Sequence, residues 1–274
     1  MYTSLSILFG VIVGFALGLT GGGGGIFAVP LLVYGLSLAP REAVGVSLAS
    51  VGGIALFGVA PRLFRGEVEV RTGMLFAVAG MIGAPIGSYL SSLMPENMLL
   101  VLFGVLMLVV AWRMYAKTRT PSAVAAACAS GVQSEERSTC QRDADGTLRL
   151  TSRCAMLLAV VGLVTGMMAG MFGVGGGFVI VPALVLFSGM QIHHAVATSL
   201  LAIFLISSSG VVSYITAGEH LSLVTTVLFL VGGFLGMWIG GLVARRLQGP
   251  TLQRIFATGI VLVAMFMITK TIMS

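Results

Sequence analysis

The chain is crossed from end to end by apolar runs too long and too poor in charge to form the core of a water-soluble domain. They cover residues 5–19, 26–38, 43–60, 73–93 and 98–115 in the first half, and 155–169, 178–190, 195–215, 221–244 and 252–273 in the second. A bilayer core is about 30 Å thick and takes roughly 20 apolar residues to cross as a helix. Charged residues are only 9% of the 274 positions and the mean hydropathy is +1.07, so lipid is the solvent for most of the chain. The apolarity is continuous and not alternating, which selects helices and excludes the strands of a membrane barrel. Residues 1–20 have no Lys or Arg ahead of their apolar stretch, so they read as a retained helix and not as a signal peptide.

The sequence is also a duplication. Setting residue n beside residue n+152 aligns GGGGGIFAVP (21–30) with GVGGGFVIVP (173–182) without a gap. At the same offset Ala43-Val44 meets Ala195-Val196, Ser47-Leu48 meets Ser199-Leu200, Gly66-Glu67 meets Gly218-Glu219, and Gly80 meets Gly232. Residues 1–113 and 154–274 are therefore expected to be two copies of one transmembrane repeat. They are joined by a polar linker at 114–153, centred on SEERSTCQRDADG. The first two apolar segments of each half look too short to span and are joined by a glycine run, the pattern of a broken or re-entrant helix pair. Three transmembrane helices follow in each half. The expected fold is an all-α polytopic membrane protein of two inverted repeats. With inverted halves, 13 of the 15 Lys and Arg residues share one side with the linker; if each glycine-broken pair were a single span, the halves would be parallel and the split 11 to 4, so the inverted reading is preferred, and both place the linker in the cytoplasm. The same argument accounts for the net charge of +6, which implies no nucleic acid. Cys128, Cys140 and Cys154 match no zinc or redox spacing and read as incidental thiols.

The glycine runs carry the chemistry. Single glycines such as Gly80 or Gly232 serve close helix packing, but five in a row cost about 1 kcal/mol each against alanine in a helix. Backbone exposed to a ligand explains that cost. Each run precedes a short helix expected to begin near Ile26 or Phe178, and a helix N-terminus favours an anion without any buried Lys or Arg. The expected substrate site comprises Thr20, Gly22, Gly23, Gly24, Gly25 and Ser47 from the first repeat, with Gly175, Gly176, Gly177, Thr198 and Ser199 from the second. Ser207, Ser208 and Ser209 rank behind these as donors. Titratable groups cluster at span ends, and Glu67, Glu219, His193 and His194 are candidates to carry a coupling proton. GGGGG lacks the Lys-Ser/Thr of a phosphate-binding loop, which argues against ATP hydrolysis. The three histidines form neither a metal site nor a nucleophile with its base, so the chain is not read as an enzyme and no cofactor or metal is expected.

The paired motifs at 21–30 and 173–182, each followed by an Ala-Val and Ser-Leu helix and a Gly-Glu turn, resemble the TauE/SafE sulfite exporter family. The resemblance covers nearly the whole chain apart from the linker. It implies a multi-pass secondary transporter in the bacterial cytoplasmic membrane, moving a small sulfur-containing anion such as sulfite or an organosulfonate, often by export. An anion channel of the same architecture is the alternative.

Overall fold

The computed structural model describes residues 2–119, 152–188, 190, 192–219, 221–244, 258–267 and 269–270, and among them every regular element is helical. In hydrocarbon a helix satisfies its backbone N–H and C=O groups within one segment, so the apolar runs have no other stable form. The first half comprises α1 (Tyr2–Thr20), the broken helix α2 (Gly23–Gly35), α3 (Pro40–Phe64), α4 (Val70–Leu93) and α5 (Glu96–Arg119). The second comprises α6 (Ser152–Phe172), α7 (Gly177–Ser188), α8 (Ile192–Thr216), α9 (Leu223–Ala244) and α10 (Thr258–Met267). Six of these, α1, α3, α4, α6, α8 and α9, are long and apolar enough to cross a membrane.

The structure departs from the sequence expectations at the first segments, at the short helix of the first half and at Cys154. The first segment of each half is not short: α1 has 19 residues and α6 has 21, so only α2 and α7 are short. The first of them begins at Gly23, earlier than the expected Ile26, so the later glycines of that run are already helical, while the second begins at Gly177, next to the expected Phe178. Cys154 is buried and disulfide-bonded, not an incidental thiol; Cys128 and Cys140 lie outside the described residues. The linker expectation also falls mostly outside them, although α5 continues to Arg119, past its expected start at residue 114.

α1 and α2 fold back on one another, with Gly24 against Leu17 and Gly35 against the ring of Phe9. The halves then interlock, because α1 packs on α9 and α4 packs on α6. Both pairs are parallel and meet through stripes of glycine at every fourth residue. A Cβ at Gly10, Gly14 or Gly18 would strike the backbone of residues 229–241, and one at Gly162, Gly166 or Gly170 the backbone of residues 76–84. Without a hydrophobic driving force between helices in lipid, this close approach is what holds them. α3 and α8 cross at the centre in opposite directions, with Gly45 against Tyr214, Gly52 against Ser207 and Gly58 near Leu200.

Candidate functional site

The two glycine runs meet between α3 and α8, and all ten of their residues are buried. Gly21 and Gly173 end α1 and α6 in the left-handed conformation, at φ of 73° and 70°. Their N–H groups bond back to Leu17 O at 2.7 Å and Ala169 O at 2.8 Å, a C-cap that glycine adopts without a Cβ penalty. Their own carbonyls are satisfied from the opposite repeat. Ser199 Oγ donates to Gly21 O at 2.7 Å, and Ser47 Oγ donates to Gly173 O at 2.6 Å. Those two expected donors thus occupy equivalent central positions, Ser47 capping a helix of the other half with its single hydroxyl proton and Ser199 sharing its proton between Gly21 O and Val196 O of its own helix, 2.8 Å away.

The other expected hydroxyls are engaged as well. Thr20 Oγ1 donates to Ala16 O at 2.7 Å and accepts from Gly23 N at 2.9 Å, stitching α1 to α2. Thr198 Oγ1 accepts from Glu69 N at 3.0 Å and so fixes the start of α4. Ser207 differs. It is fully buried on α8, and among the described residues its Oγ is the buried hydroxyl with no hydrogen-bond partner. It lies 3.4 Å from where a Cβ on Gly175 would stand, with Val51 and Ile203 flanking the same spot. The sequence placed Ser207 behind the paired serines, and it has no repeat mate: the equivalent position in the first repeat is Ala55.

Around that hydroxyl the second glycine run is the more unusual of the two. Gly175 and Gly176 both have positive φ, 68° and 67°, and Gly176 O accepts from Val179 N and Ile180 N as α7 begins. In the first repeat Gly23–Phe27 instead winds as a 3-10 helix. Where the runs touch, backbone packs on backbone: a Cβ at Gly22 would lie 2.7 Å from Gly177 O, and one at Gly25 would strike Val174 O. The crossing is closed in this conformation.

A cavity lies near each end of the α3–α8 pair. One, of ≈ 230 Å³, has hydroxyls from Ser88, Tyr89, Ser213 and Tyr214 in its wall, together with Arg41 and Glu219. Arg41 and Glu219 pair at 4.0 Å across the repeats, and Arg41 Nη2 also donates to Ser92 O at 2.9 Å. The other, of ≈ 450 Å³, is lined by Arg62 and Arg65 and by apolar and aromatic side chains. The remaining coupling candidates come together in part. His194 Nδ1 lies 2.8 Å from Glu67 O, tying the start of α8 to the α3–α4 turn, whereas His193 is exposed.

Comparison with known proteins agrees with this architecture. The family model described as sulfite exporter TauE/SafE matches residues 6–267. A probable membrane transporter protein of Xylella fastidiosa strain Temecula1 is 34% identical over 267 residues, covering 96% of this chain and 93% of its own. The probable membrane transporter protein YunE of Bacillus subtilis is 28% identical over 279 residues, covering 98% of each. No solved structure matches. With a family match over almost all of its length and six helices able to span a bilayer, the chain is a multi-pass membrane transporter and belongs to the TauE/SafE sulfite exporter family.

Proposed function

We propose that the protein carries sulfite or an organosulfonate out of the cytoplasm as a secondary transporter driven by an ion gradient. The anion binds at the glycine crossing, against Ser207 Oγ, the backbone of residues 175–177 and the N-terminus of α7. The observation that carries this reading is the buried Ser207 hydroxyl without a partner beside the left-handed Gly175. An unsatisfied buried hydroxyl costs about 1–3 kcal/mol, and an oxyanion is the partner that would offset it. The helix dipole adds to the attraction while keeping the site free of fixed charge, so the anion is held without being trapped.

Residues 1–113 and 154–274 act as inverted repeats about this point, with the 114–153 linker in the cytoplasm. The antiparallel crossing of α3 and α8, which are repeat mates, supports that relation. Transport then requires the closed contacts Gly22–Gly177 and Gly25–Val174 to part toward one end at a time. Arg41–Glu219 closes one end, and His194 with the Glu67 carbonyl closes the other. These ties contain the candidate proton carriers Glu67, Glu219 and His194, with His193 beside them.

Flux of labelled sulfite, sulfoacetate and taurine in proteoliposomes, with and without a pH gradient, tests the function. Saturable export accelerated by the gradient is expected. Flux that neither saturates nor responds to a gradient would instead make the protein an anion channel.

A further inference from the structure

The larger cavity sits at the end of the molecule where α3 and α9 finish, and its chemistry differs from that of its repeat mate. Positions 61, 62 and 241 line it as Pro61, Arg62 and Gly241, and their mates in the smaller cavity are Ser213, Tyr214 and Tyr89. Every one of those hydroxyls is missing from the larger cavity. In their place its wall is formed by Phe57, Phe234, Trp238 and Leu242, which are 48%, 44%, 67% and 54% exposed. Phe57 and Phe234 stack edge to face with centroids 4.8 Å apart. Such exposure on membrane-spanning helices opens the groove sideways toward the bilayer. Arg62 and Arg65 stand beside it at the C-terminal end of α3.

We infer that this groove binds an anionic glycerophospholipid of the surrounding leaflet, with the phosphate on Arg62 and Arg65 and an acyl chain along Phe57, Phe234 and Trp238. Two guanidinium groups suit a phosphate, which they bond in planar forks. A small hydrated oxyanion gains nothing from four apolar side chains, whereas an amphiphile uses both parts of the groove. The volume of ≈ 450 Å³ accommodates a headgroup and the upper part of a chain. Tryptophan near the end of α9 is placed as interfacial anchors are. Basic pockets between transmembrane helices on the cytoplasmic side are recognised acidic-lipid sites, and the proposed topology puts this end there. Binding in detergent is indifferent to sidedness, so the test below stands or falls apart from that topology.

The test uses the full chain with Trp112→Phe, which leaves Trp238 as its single tryptophan. The protein is titrated in detergent with phosphatidylglycerol brominated on its chains, and quenching of Trp238 is read. Brominated phosphatidylcholine, unbrominated phosphatidylglycerol, inorganic phosphate and sulfite form the comparison arms. Saturable quenching by the phosphatidylglycerol, weakened by raising salt and competed by its unbrominated form, is the expected result. Arg62→Gln with Arg65→Gln should weaken it about 25-fold, at about fivefold for each charge, while Arg62→Lys with Arg65→Lys retains most of the binding. Equal quenching by phosphatidylcholine, or insensitivity to both salt and the glutamine pair, would overturn the proposal. So would displacement of the lipid by millimolar sulfite, because the groove would then be an entrance for the transported anion. Should the glutamine pair fail to fold, the salt dependence and the two competitions decide the matter on the wild-type arginines.

Discussion

Alanine at three serines of the central crossing should change stability in opposite directions, and the sign separates a ligand-binding hydroxyl from a structural one. Ser47 and Ser199 each donate to a buried helix-end carbonyl, at 2.6 and 2.7 Å, and both are fully buried. Removing either hydroxyl leaves Gly173 O or Gly21 O without that donor in a medium that offers no water. The cost is about 1–3 kcal/mol for each. Ser207 has no partner to lose. Ser207→Ala removes an unsatisfied group, so the ligand-free protein should gain about 1 kcal/mol, which is about 2 °C in the unfolding midpoint. Sulfite should reverse the order. A hydrogen bond to a charged group is worth about 1.5–3 kcal/mol, so Ser207→Ala should weaken sulfite binding roughly tenfold or more. Ser47→Ala should change sulfite binding less than about twofold, because its one hydroxyl proton is committed to Gly173 O and is not offered to the anion. The assay is thermal unfolding of purified protein in detergent, scanned without ligand and across a sulfite titration. If Ser207→Ala destabilises the ligand-free protein, the hydroxyl is doing structural work. If it leaves the sulfite-induced rise intact, the proposed site is wrong.

Four further outcomes follow from the same geometry. Glu67→Gln, Glu219→Gln and His194→Gln should each still fold: the Arg41–Glu219 pair is about one-third exposed on both sides and contributes at most about 1 kcal/mol, Glu67 meets His194 through a backbone carbonyl that the substitution keeps, and His194 has that one part-buried bond to lose, about 1 kcal/mol. At least one of the three should lose the acceleration of flux by a pH gradient while still binding sulfite, and unaltered coupling in all three would remove these groups from the mechanism. Single cysteines at Phe64 and at Ser92 should label from opposite faces of the membrane in intact cells, and labelling from the same face would refute the crossing of the spans. Gly14→Leu and Gly166→Leu should lower thermal stability more than Gly241→Leu, since a Cβ at the first two strikes a facing backbone and one at Gly241 meets nothing within 4 Å; equal effects in a detergent melt would contradict the packing. Gly24→Leu should abolish transport together with stability, because its Cβ would overlap the α1 backbone at Leu17, and a stable, active variant would disprove that contact.

What could be read from the sequence was whatever the duplication repeats. Hydropathy located the spans, because in lipid every run of sufficient length must become a helix. The offset of 152 then paired Ser47 with Ser199 and Gly21 with Gly173, and the structure joins these pairs crosswise, Ser47 to Gly173 O and Ser199 to Gly21 O. Their hydrogen bonds could not be read, because a serine at such a position can bond a ligand, its own helix or a neighbouring helix end with the same sequence pattern. The glycine stripes of α1, α6 and α9 were equally invisible as partners, since a small residue at every fourth position marks a contact without naming what it touches. Departures from the repeat carry different information. Ser207 stands opposite Ala55, and the left-handed Gly175 and Gly176 stand opposite a first-repeat segment wound as a 3-10 helix. A two-fold architecture needs equal residues wherever the halves support one another, so symmetric positions are claimed by scaffold. An anion bound at the crossing as proposed would occupy one place and is not itself two-fold, so the groups that bind it would be free to differ between the halves. The matched serines Ser47 and Ser199 are engaged at helix ends of the opposite half, and the unmatched Ser207 hydroxyl beside the unmatched backbone is the group that still has a hydrogen bond to offer.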